Sequence, residues 1–320
     1  MNLRGKTVVV TGGAGFIGSH LVDRIIEKEP KDLIVISNFF LGKIGNLVDA
    51  VRKFPVRILN NDLANREFVG MVFGQTDIDV VFNLAVVPLP TSLERPEWTV
   101  WKNVEMTLNL CEQLRLGNFK KLVQFSSSEA YGTTIYSPMK EDHPVNPTTP
   151  YGASKLATDY ISLSYHKTFG CDVSVVRPFN AYGPRQNMGQ WAGLIPLTVN
   201  GMRSGGPIFI NGDGEQTRDY TFVTDIADAA IKICECQEAV GRVVNIGSGR
   251  EISINEIVRL IADYMSYKGK IIHRERRPGE VQRLIADIGL ACELFRYGPG
   301  VDFENGIKLT VDWYANSCVG

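Results

Sequence analysis

The stretch Thr11-Gly12-Gly13-Ala14-Gly15-Phe16-Ile17-Gly18-Ser19-His20 carries three glycines with the spacing G-x-x-G-x-x-G. An apolar, β-branched run precedes it, and a segment with apolar residues at helical spacing follows it. Backbone N–H groups at such a strand-to-helix turn point towards a bound phosphate. Gly12 permits the tight turn, Gly15 lets the backbone approach a pyrophosphate, and Gly18 lets helix and strand pack closely. The stretch therefore predicts a dinucleotide-binding loop.

Length, charge and cysteine content narrow the class of protein. The chain has 320 residues, enough for a large core and two lobes. Its net charge of −1, without like-charge runs, disfavours nucleic acid and membrane surfaces as partners. It has no apolar run of membrane-spanning length and no signal-peptide pattern, so we expect a cytoplasmic protein. The six cysteines lack metal-ligand spacing, so we expect reduced thiols and no metal site.

The first half of the chain alternates short β-branched segments with helical patterns. This alternation predicts an α/β fold with a doubly wound parallel Rossmann sheet. Long helices are expected over residues 99–116 and 151–169. Strands are expected over residues 7–11, 33–37, 56–59, 80–84, 121–126 and 172–177.

The second half is rich in proline and glycine turn signals. A helix over residues 224–235 and a strand over 243–246 are expected to return to the sheet. Ser253 and Glu256 have the spacing of a capping box. We therefore expect a dinucleotide-binding domain and a smaller, discontinuous α/β substrate lobe over the carboxyl ends of the strands. The predicted division is residues 1–178, rejoined by 223–248, for the first, and residues 179–222 and 249–320 for the second.

Tyr151 and Lys155 stand four residues apart on a predicted helix, so their side chains share one face. A phenol with a pKa of about 10 is a weak base at neutral pH. A neighbouring ammonium and a positively charged nicotinamide both favour the phenolate. Tyr151 can then take a proton from a substrate hydroxyl while hydride leaves the same carbon. Taken alone, the pair also fits a solvated helix surface.

Several motifs, in order, resemble those of the extended short-chain dehydrogenase/reductases. The similarity is to the NAD-dependent epimerase/dehydratase family acting on nucleotide sugars, which includes the UDP-glucose 4-epimerases. It covers nearly the whole chain and implies an enzyme with a Rossmann sheet and a substrate lobe. The motifs are residues 11–18, 83–85, 103–104, 126–132, 151–155, 177–185, 212–220 and 277–280.

The resemblance implies a catalytic triad of Ser127, Tyr151 and Lys155. Ser127 would hydrogen-bond the reacting hydroxyl, and Lys155 would also hold the nicotinamide ribose. Serines flank Ser127 on both sides, which leaves the hydroxyl member ambiguous by one residue. Glu129 is a fourth catalytic candidate, because dehydratases and decarboxylases commonly carry a carboxylate there. Its alternative role is to orient a loop.

The resemblance also implies the cofactor contacts. Ser37 stands where the family usually has an acid that binds the adenosine ribose, so NADP stays open beside NAD, which we favour. Asn83 replaces a usual histidine and is expected to alter the nicotinamide side of the pocket. The implied contacts are Gly12, Gly15, Phe16, Ile17, Gly18, Ser37, Asn38, Lys43, Asp62, Leu63, Leu84, Ala85, Asn103, Tyr151, Lys155 and Pro178.

For the substrate, the resemblance implies a nucleotide sugar, with UDP as the nucleotide we favour. Arginine supplies planar, permanently charged donors for pyrophosphate oxygens. The implied substrate contacts are Ser127, Asn180, Arg185, Arg218, Arg277 and Glu280.

The reaction implied first is oxidation of the sugar at C4 to a 4-keto intermediate, with the cofactor retained. We favour C4 epimerisation, because Ser127 is not threonine and the late motif reads Arg-Pro-Gly-Glu. Decarboxylation of a nucleotide-linked uronic acid and 4,6-dehydration stay open because of Glu129. A plain NADP-linked reductase is supported by Ser37 alone. A catalytically silent nucleotide-sugar-binding protein is disfavoured by the intact triad.

The assembly is also implied by the resemblance, since family members usually dimerise through a four-helix bundle. The two helices expected here are those over residues 99–116 and 151–169, which would make a homodimer. Packing on the chain's own sheet explains the first helix's apolar stripe equally well. That stripe comprises Val100, Val104, Leu108 and Cys111.

Overall fold

A computed structural model describes residues 1–189, 191–276 and 282–316. The strands are β1 (Thr7–Thr11), β2 (Asp32–Ser37), β3 (Val56–Asn60), β4 (Ile78–Asn83), β5 (Phe119–Phe125), β6 (Asp172–Pro178), β7 (Asn180–Tyr182), β8 (Ile208–Asn211), β9 (Thr217–Arg218), β10 (Tyr220–Phe222), β11 (Val243–Ile246), β12 (Ile252–Ser253), β13 (Ile271–Arg274) and β14 (Arg283–Leu284). The α-helices are α1 (Phe16–Ile26), α2 (Val48–Lys53), α3 (Arg66–Gln75), α4 (Leu89–Glu94), α5 (Pro96–Arg115), α6 (Pro150–Phe169), α7 (Leu194–Arg203), α8 (Val223–Glu235), α9 (Ile254–Tyr264), α10 (Gly289–Phe295) and α11 (Phe303–Asn316).

The main sheet has seven strands in the order β11-β6-β5-β4-β1-β2-β3. Every neighbouring pair in it is parallel. The six strands predicted for the first half are all present, each within two residues of its expected ends. The predicted doubly wound parallel fold is therefore confirmed.

Both faces of this sheet are covered by helices. Val8 and Val10 of β1 belong to one core with α1 and α8, whereas Val9 belongs to the opposite core with α3 and α5. Successive strand residues point to opposite faces, so an uninterrupted apolar run is what a doubly covered strand needs.

The direction of winding reverses between β1 and β4. From β1 the chain proceeds to β2 and β3 on one side, and β4, β5 and β6 lie on the other. Ligands of open α/β sheets bind at the carboxyl ends of the strands at such a switch point. This topology locates the crevice before any side chain is considered.

The second half of the chain contributes both to the main sheet and to a separate hydrophobic core. β11 pairs with β6 and α8 packs against α1, so this segment lies with the main sheet. A separate core joins α7, α9 and α11. The capping box predicted at the start of α9 is present, with Ser253 and Glu256 bonded reciprocally to each other's backbone. The division into two domains at particular residues stays a prediction.

The apolar stripe predicted on α5 is divided between two environments. Cys111 is fully buried in the core under the sheet, whereas Leu108 is 37% exposed. Trp101 of α5 and Tyr160 of the neighbouring α6 are more exposed still. The exposed apolar surface of this helix pair thus combines Leu108 of the predicted stripe with Trp101 and Tyr160, which lie outside it.

The described residues contain neither a candidate membrane span nor a candidate metal cluster. No helix among them is both long and apolar enough to cross a membrane. No group of three His, Cys, Asp or Glu side chains within residues 1–189, 191–276 and 282–316 could hold a metal ion.

Candidate active site

The glycine loop after β1 leads into α1 and forms one wall of a cavity. Gly12 has a φ of +64°, and a Cβ there would lie 2.9 Å from the backbone of Leu84 and Ala85. A Cβ on Gly18 would lie 2.4 Å from the Gly12 carbonyl oxygen. α1 begins after Gly15 with no side-chain cap and no acidic residue in its first turn. The loop and the bare helix N-terminus therefore fit the pyrophosphate of a dinucleotide.

The cavity lies at the carboxyl ends of β1, β4, β5 and β6 and has a volume of about 610 Å³. It brings the predicted cofactor contacts together with the predicted catalytic residues. The predicted residues that line it are Gly12, Gly15, Phe16, Ile17, Gly18, Ser37, Asn38, Asp62, Leu63, Leu84, Ala85, Ser127, Glu129, Tyr151, Lys155, Pro178 and Asn180.

The predicted triad meets where β5 ends beside the first turns of α6. Thr149 caps α6, its hydroxyl accepting a backbone N–H within the first turn at 3.0 Å. Tyr151 and Lys155 therefore project from a fixed helix start. Ser127 hydrogen-bonds the Tyr151 side chain. Ser126 is instead bonded to a buried carboxylate, so these contacts favour Ser127 as the hydroxyl member.

Burial governs the ionisation of the two titratable triad members. It raises the pKa of Tyr151 to about 12, although the hydrogen bond from Ser127 acts in the opposite direction. Burial also lowers the pKa of Lys155 to about 8. The Lys155 ammonium donates to the carbonyl oxygen of Phe125. The protein alone thus disfavours the phenolate, and the positive charge of a bound nicotinamide would have to offset that cost.

Glu129 lines the same cavity two residues after Ser127. Burial raises the pKa of its carboxyl, and the positive charge of Arg218 opposes that rise. Arg218 does not itself line the cavity, and its guanidinium donates to the carbonyl of Thr217 at 2.8 Å. A carboxyl with a raised pKa can exchange a proton nearer to neutral pH. Glu129 is therefore chemically available beside the triad.

A carboxylate also reaches the carboxyl end of β2, although that end of the strand carries no acidic residue. Asn38 donates to Oδ2 of Asp62 at 3.1 Å, while the backbone N–H of Ala64 donates to Oδ1 at 2.8 Å. The hydroxyl of Ser37 accepts the backbone N–H of Phe39 at 3.2 Å. Asp62 therefore supplies negative charge to the wall that Ser37 shares.

The family model described as NAD dependent epimerase/dehydratase matches residues 8–247. The chain belongs to this family. The predicted family resemblance is thereby confirmed, and so is NAD as the favoured cofactor. The chain is accordingly an enzyme of the nucleotide-sugar epimerase/dehydratase class.

Relatives within the family cover almost the whole chain. A putative UDP-glucose 4-epimerase from Methanocaldococcus jannaschii is 36% identical over 313 residues, which span 97% of this chain and 99% of that protein. A UDP-N-acetyl-alpha-D-glucosaminuronate decarboxylase from Bacillus cytotoxicus is 31% identical, over 97% and 98% of the two chains. The crystal structure of a UDP-glucose 4-epimerase from Thermotoga maritima with UDP-glucose superposes with a TM-score of 0.91, at 31% identity over 97% and 98%.

Asn103, predicted as a cofactor contact, lies behind the cavity wall of this epimerase/dehydratase. Its side chain accepts the N–H of Val87 at 2.8 Å and donates to the Val87 carbonyl at 3.1 Å. It also donates to the hydroxyl of Ser154 on α6 at 2.9 Å. Both amide hydrogens are thus used within the protein. These bonds join the loop after β4 to the catalytic helix, which is a supporting role.

Other predicted residues of the epimerase/dehydratase lie away from the cavity lining. Arg185 pairs with Asp23 of α1 at 2.7 Å, and Lys43 is exposed. Asn83 lies at the carboxyl end of β4, where its side chain accepts a hydrogen bond from Thr11 at 2.7 Å and donates one to Gln124 at 2.8 Å. The predicted substrate roles of Arg185 and Arg218 stay predictions, as does that of Asn180, which does line the cavity. Arg277 and Glu280 lie outside the described residues.

The sequence did not predict an aromatic cluster that lies at the cavity. The Phe40 ring lies 5.9 Å from Trp98 and 5.7 Å from Trp191, and the Arg95 guanidinium lies 4.4 Å from the Trp98 ring. Phe40, Trp98 and Arg95 all line the cavity. The four residues come from three separate segments. No spacing rule predicts that these residues meet. The signal present in the sequence was Trp98, which follows the strand predicted over residues 80–84.

Proposed function

We propose that this protein is a C4 epimerase of UDP-linked hexoses that retains its NAD through each turnover. One observation carries the proposal: among the described lining residues, Glu129 is the single acidic side chain beside the triad. The other lining acid, Asp62, is bonded to Asn38 next to the end of β2. Dehydration needs an added acid and an added base to expel water, whereas epimerisation needs only the triad.

The triad residues support this chemistry by moving one proton in each direction. Bound NAD would be held by the glycine loop and Lys155, and its nicotinamide supplies the reversible acceptance of a hydride from C4. Tyr151 takes the proton of the C4 hydroxyl, while Ser127 hydrogen-bonds that oxygen and fixes its position. After the keto sugar has turned, so that C4 would take the hydride back on its opposite face, Tyr151 returns the proton to the C4 oxygen.

The names of two relatives also support C4 epimerisation. The Methanocaldococcus protein has the name putative UDP-glucose 4-epimerase, and the Thermotoga structure is described as a UDP-glucose 4-epimerase. We therefore favour UDP as the nucleotide and a hexose as the sugar. By the same resemblance we infer a homodimer joined through α5 and α6.

A nucleotide-linked uronic acid decarboxylase is the second candidate. Glu129 favours it, because its buried carboxyl lies where family decarboxylases commonly carry one. The Bacillus cytotoxicus relative has a decarboxylase name. In this reaction the 4-keto group would accept electrons from the breaking carbon–carbon bond, and carbon dioxide would leave.

Incubation with a panel of nucleotide sugars separates the candidates. The panel contains UDP-glucose, UDP-galactose, UDP-glucuronic acid and dTDP-glucose, and each product is examined by mass spectrometry and by NMR of its C4 configuration. The proposal expects unchanged mass with inverted C4 for a UDP-hexose. Loss of water or of carbon dioxide would instead identify a dehydratase or a decarboxylase. The absence of any product with the whole panel would contradict the proposed function.

A further inference from the structure

A buried ion pair lies directly behind the triad. Oδ2 of Asp159 accepts from the Arg177 guanidinium at 2.8 Å and from the Ser126 hydroxyl at 2.5 Å. The side chains of Asp159 and Arg177 are only 1% and 3% exposed. Desolvation offsets most of what such a pair gains, so stability alone is a weak reason for its presence.

The position of Asp159 connects it to the catalytic lysine by two routes. Tyr151, Lys155 and Asp159 follow one another at four-residue steps on α6, and therefore share one helix face. Lys155 donates to the carbonyl of Phe125, and the next residue, Ser126, is the one that Asp159 holds. One carboxylate thus fixes the strand end from which the acceptor of Lys155 projects.

The negative charge of Asp159 also acts on Lys155. Oδ1 is buried and has no hydrogen-bond partner. Burial lowers the pKa of Lys155, and the charge of Asp159 opposes that fall. Removing this negative charge would lower the pKa of Lys155 further, so the ammonium would lose its proton at a lower pH.

The other charged and titratable groups around Lys155 come from three segments. Tyr151 shares α6 with it, and Glu129 lies in the turn after β5. Arg177 of β6 is paired with Asp159, and its guanidinium lies 4.3 Å from the ring of Tyr131. Of these groups, Asp159 is the one whose charge acts on Lys155.

We propose that Asp159 is a positioning residue of the active site, which holds Ser126 at the end of β5 and keeps the Lys155 ammonium charged, with Arg177 as its counter-ion. This inference rests on the proposed function only for its consequence in catalysis. The protonation of Lys155 itself can be measured whether or not the reaction has been identified.

The primary test is the pH dependence of Lys155 acylation by a small anhydride, quantified by peptide mass spectrometry. Lys155 lines the cavity, and only its neutral amine reacts. In Asp159→Asn the reaction should reach half its maximal rate at a pH lower by about one unit or more. Asp172→Asn is the matched control. It disturbs a half-buried pair, Lys121 and Asp172 at 2.8 Å, towards the opposite ends of β5 and β6, and should leave the Lys155 midpoint unchanged.

A second variant covers the risk that Asp159→Asn does not fold, because that change leaves Arg177 buried without its counter-ion. Asp159→Asn combined with Arg177→Gln removes both charges, and a smaller shift in the same direction is expected. Thermal unfolding establishes which variants are folded. An unchanged Lys155 midpoint in a folded variant that lacks Asp159 would overturn the proposal.

The catalytic consequence is a separate measurement. With an active nucleotide sugar, the alkaline limb of the single-turnover rate should move to lower pH in Asp159→Asn, while calorimetric affinity for the sugar stays the same. If no sugar reacts with the wild type, the proposed function fails and the acylation result still decides the role of Asp159. A shifted Lys155 midpoint without a shifted rate limb would remove Asp159 from catalysis.

Discussion

At the scale of single residues, the triad is assembled, but burial holds its base in the protonated form. Burial raises the pKa of Tyr151 to about 12, and Lys155 donates to a backbone carbonyl. Cationic charge beside the phenol is what can reverse this balance. Proton abstraction by Tyr151 would therefore require a bound nicotinamide in the cavity.

Tyr151→Phe removes the base while keeping the ring. We expect the rate of NAD reduction by a nucleotide sugar to fall by about a hundredfold or more, because general-base catalysis is lost. Binding of the nucleotide sugar, measured by calorimetry, should change little. Tyr165→Phe is the control on the same helix, since its hydroxyl bonds to Glu112 outside the cavity. Near-normal reduction in Tyr151→Phe would remove Tyr151 as the base.

Glu129→Gln distinguishes an orienting carboxyl from a reacting one. Since an epimerase needs only the triad for proton transfer, we expect the variant to retain epimerisation within about tenfold. The matched control is Glu141→Gln, which removes a carboxyl whose pKa burial also raises and which does not line the cavity. A 4-keto sugar that accumulates in Glu129→Gln alone would favour the decarboxylase or the dehydratase.

The residues that sequence could locate are those with a local spacing rule. The glycine loop and the Tyr151–Lys155 pair each lie within one turn or one helix, so their separation along the chain fixes their geometry. Asp159, Arg177 and Ser126 come from three elements, and the chain gives no rule for their meeting. A signal was nevertheless present, because Asp159 continues the helix face of Tyr151 and Lys155.

At the scale of elements, burial decided which predictions succeeded. The inner main-sheet strands β1, β2 and β4 are short, rich in β-branched residues and almost wholly buried, so their pattern was unambiguous. The strands of the second lobe have two to four residues and pair across long separations, as β8 does with β13. Strands of that length carry too few residues for a periodic pattern.

The capping box of α9 offers a test at this scale. Ser253→Ala removes a side-chain acceptor from the helix N-terminus and should lower the free energy of unfolding by about 1 kcal/mol. Urea denaturation followed by circular dichroism measures the change. Ser164→Ala on the exposed side of α6 is the control and should remain within about 0.5 kcal/mol of wild type. Equal effects of the two substitutions would contradict a stabilising cap.

At the scale of the whole molecule, the cavity belongs to both halves of the chain. The sheet supplies the glycine loop and the triad, and the segment after β6 supplies Phe179, Asn180 and Ala181 to the same lining. A substrate bound there would contact both segments at once. The turn signals of the second half, with the rule that ligands bind at the carboxyl ends of the strands, predicted a substrate lobe over this site. They did not predict which residues meet there, because the packing of separate segments is not a local property.

The exposed apolar surface of α5 and α6 supports the inferred homodimer and allows it to be tested. Trp101 is 69% exposed, Tyr160 is 59% exposed, and Leu108 lies two helical turns from Trp101. Burying such rings against a second copy would remove them from water, and a charge among them would oppose association. We expect Trp101→Glu with Leu108→Glu to convert the dimer into a monomer, measured by sedimentation velocity.

Leu309→Glu is the matched control for this dimer test, since Leu309 is 49% exposed on α11, outside the helix pair. It adds the same charge to a comparable apolar position and should leave the mass in solution unchanged. Retained thermal stability in the doubly substituted protein would separate lost association from lost folding. A wild-type protein that sediments as a monomer at all concentrations would contradict the inferred assembly, and an unchanged dimer after both substitutions would move the interface away from α5.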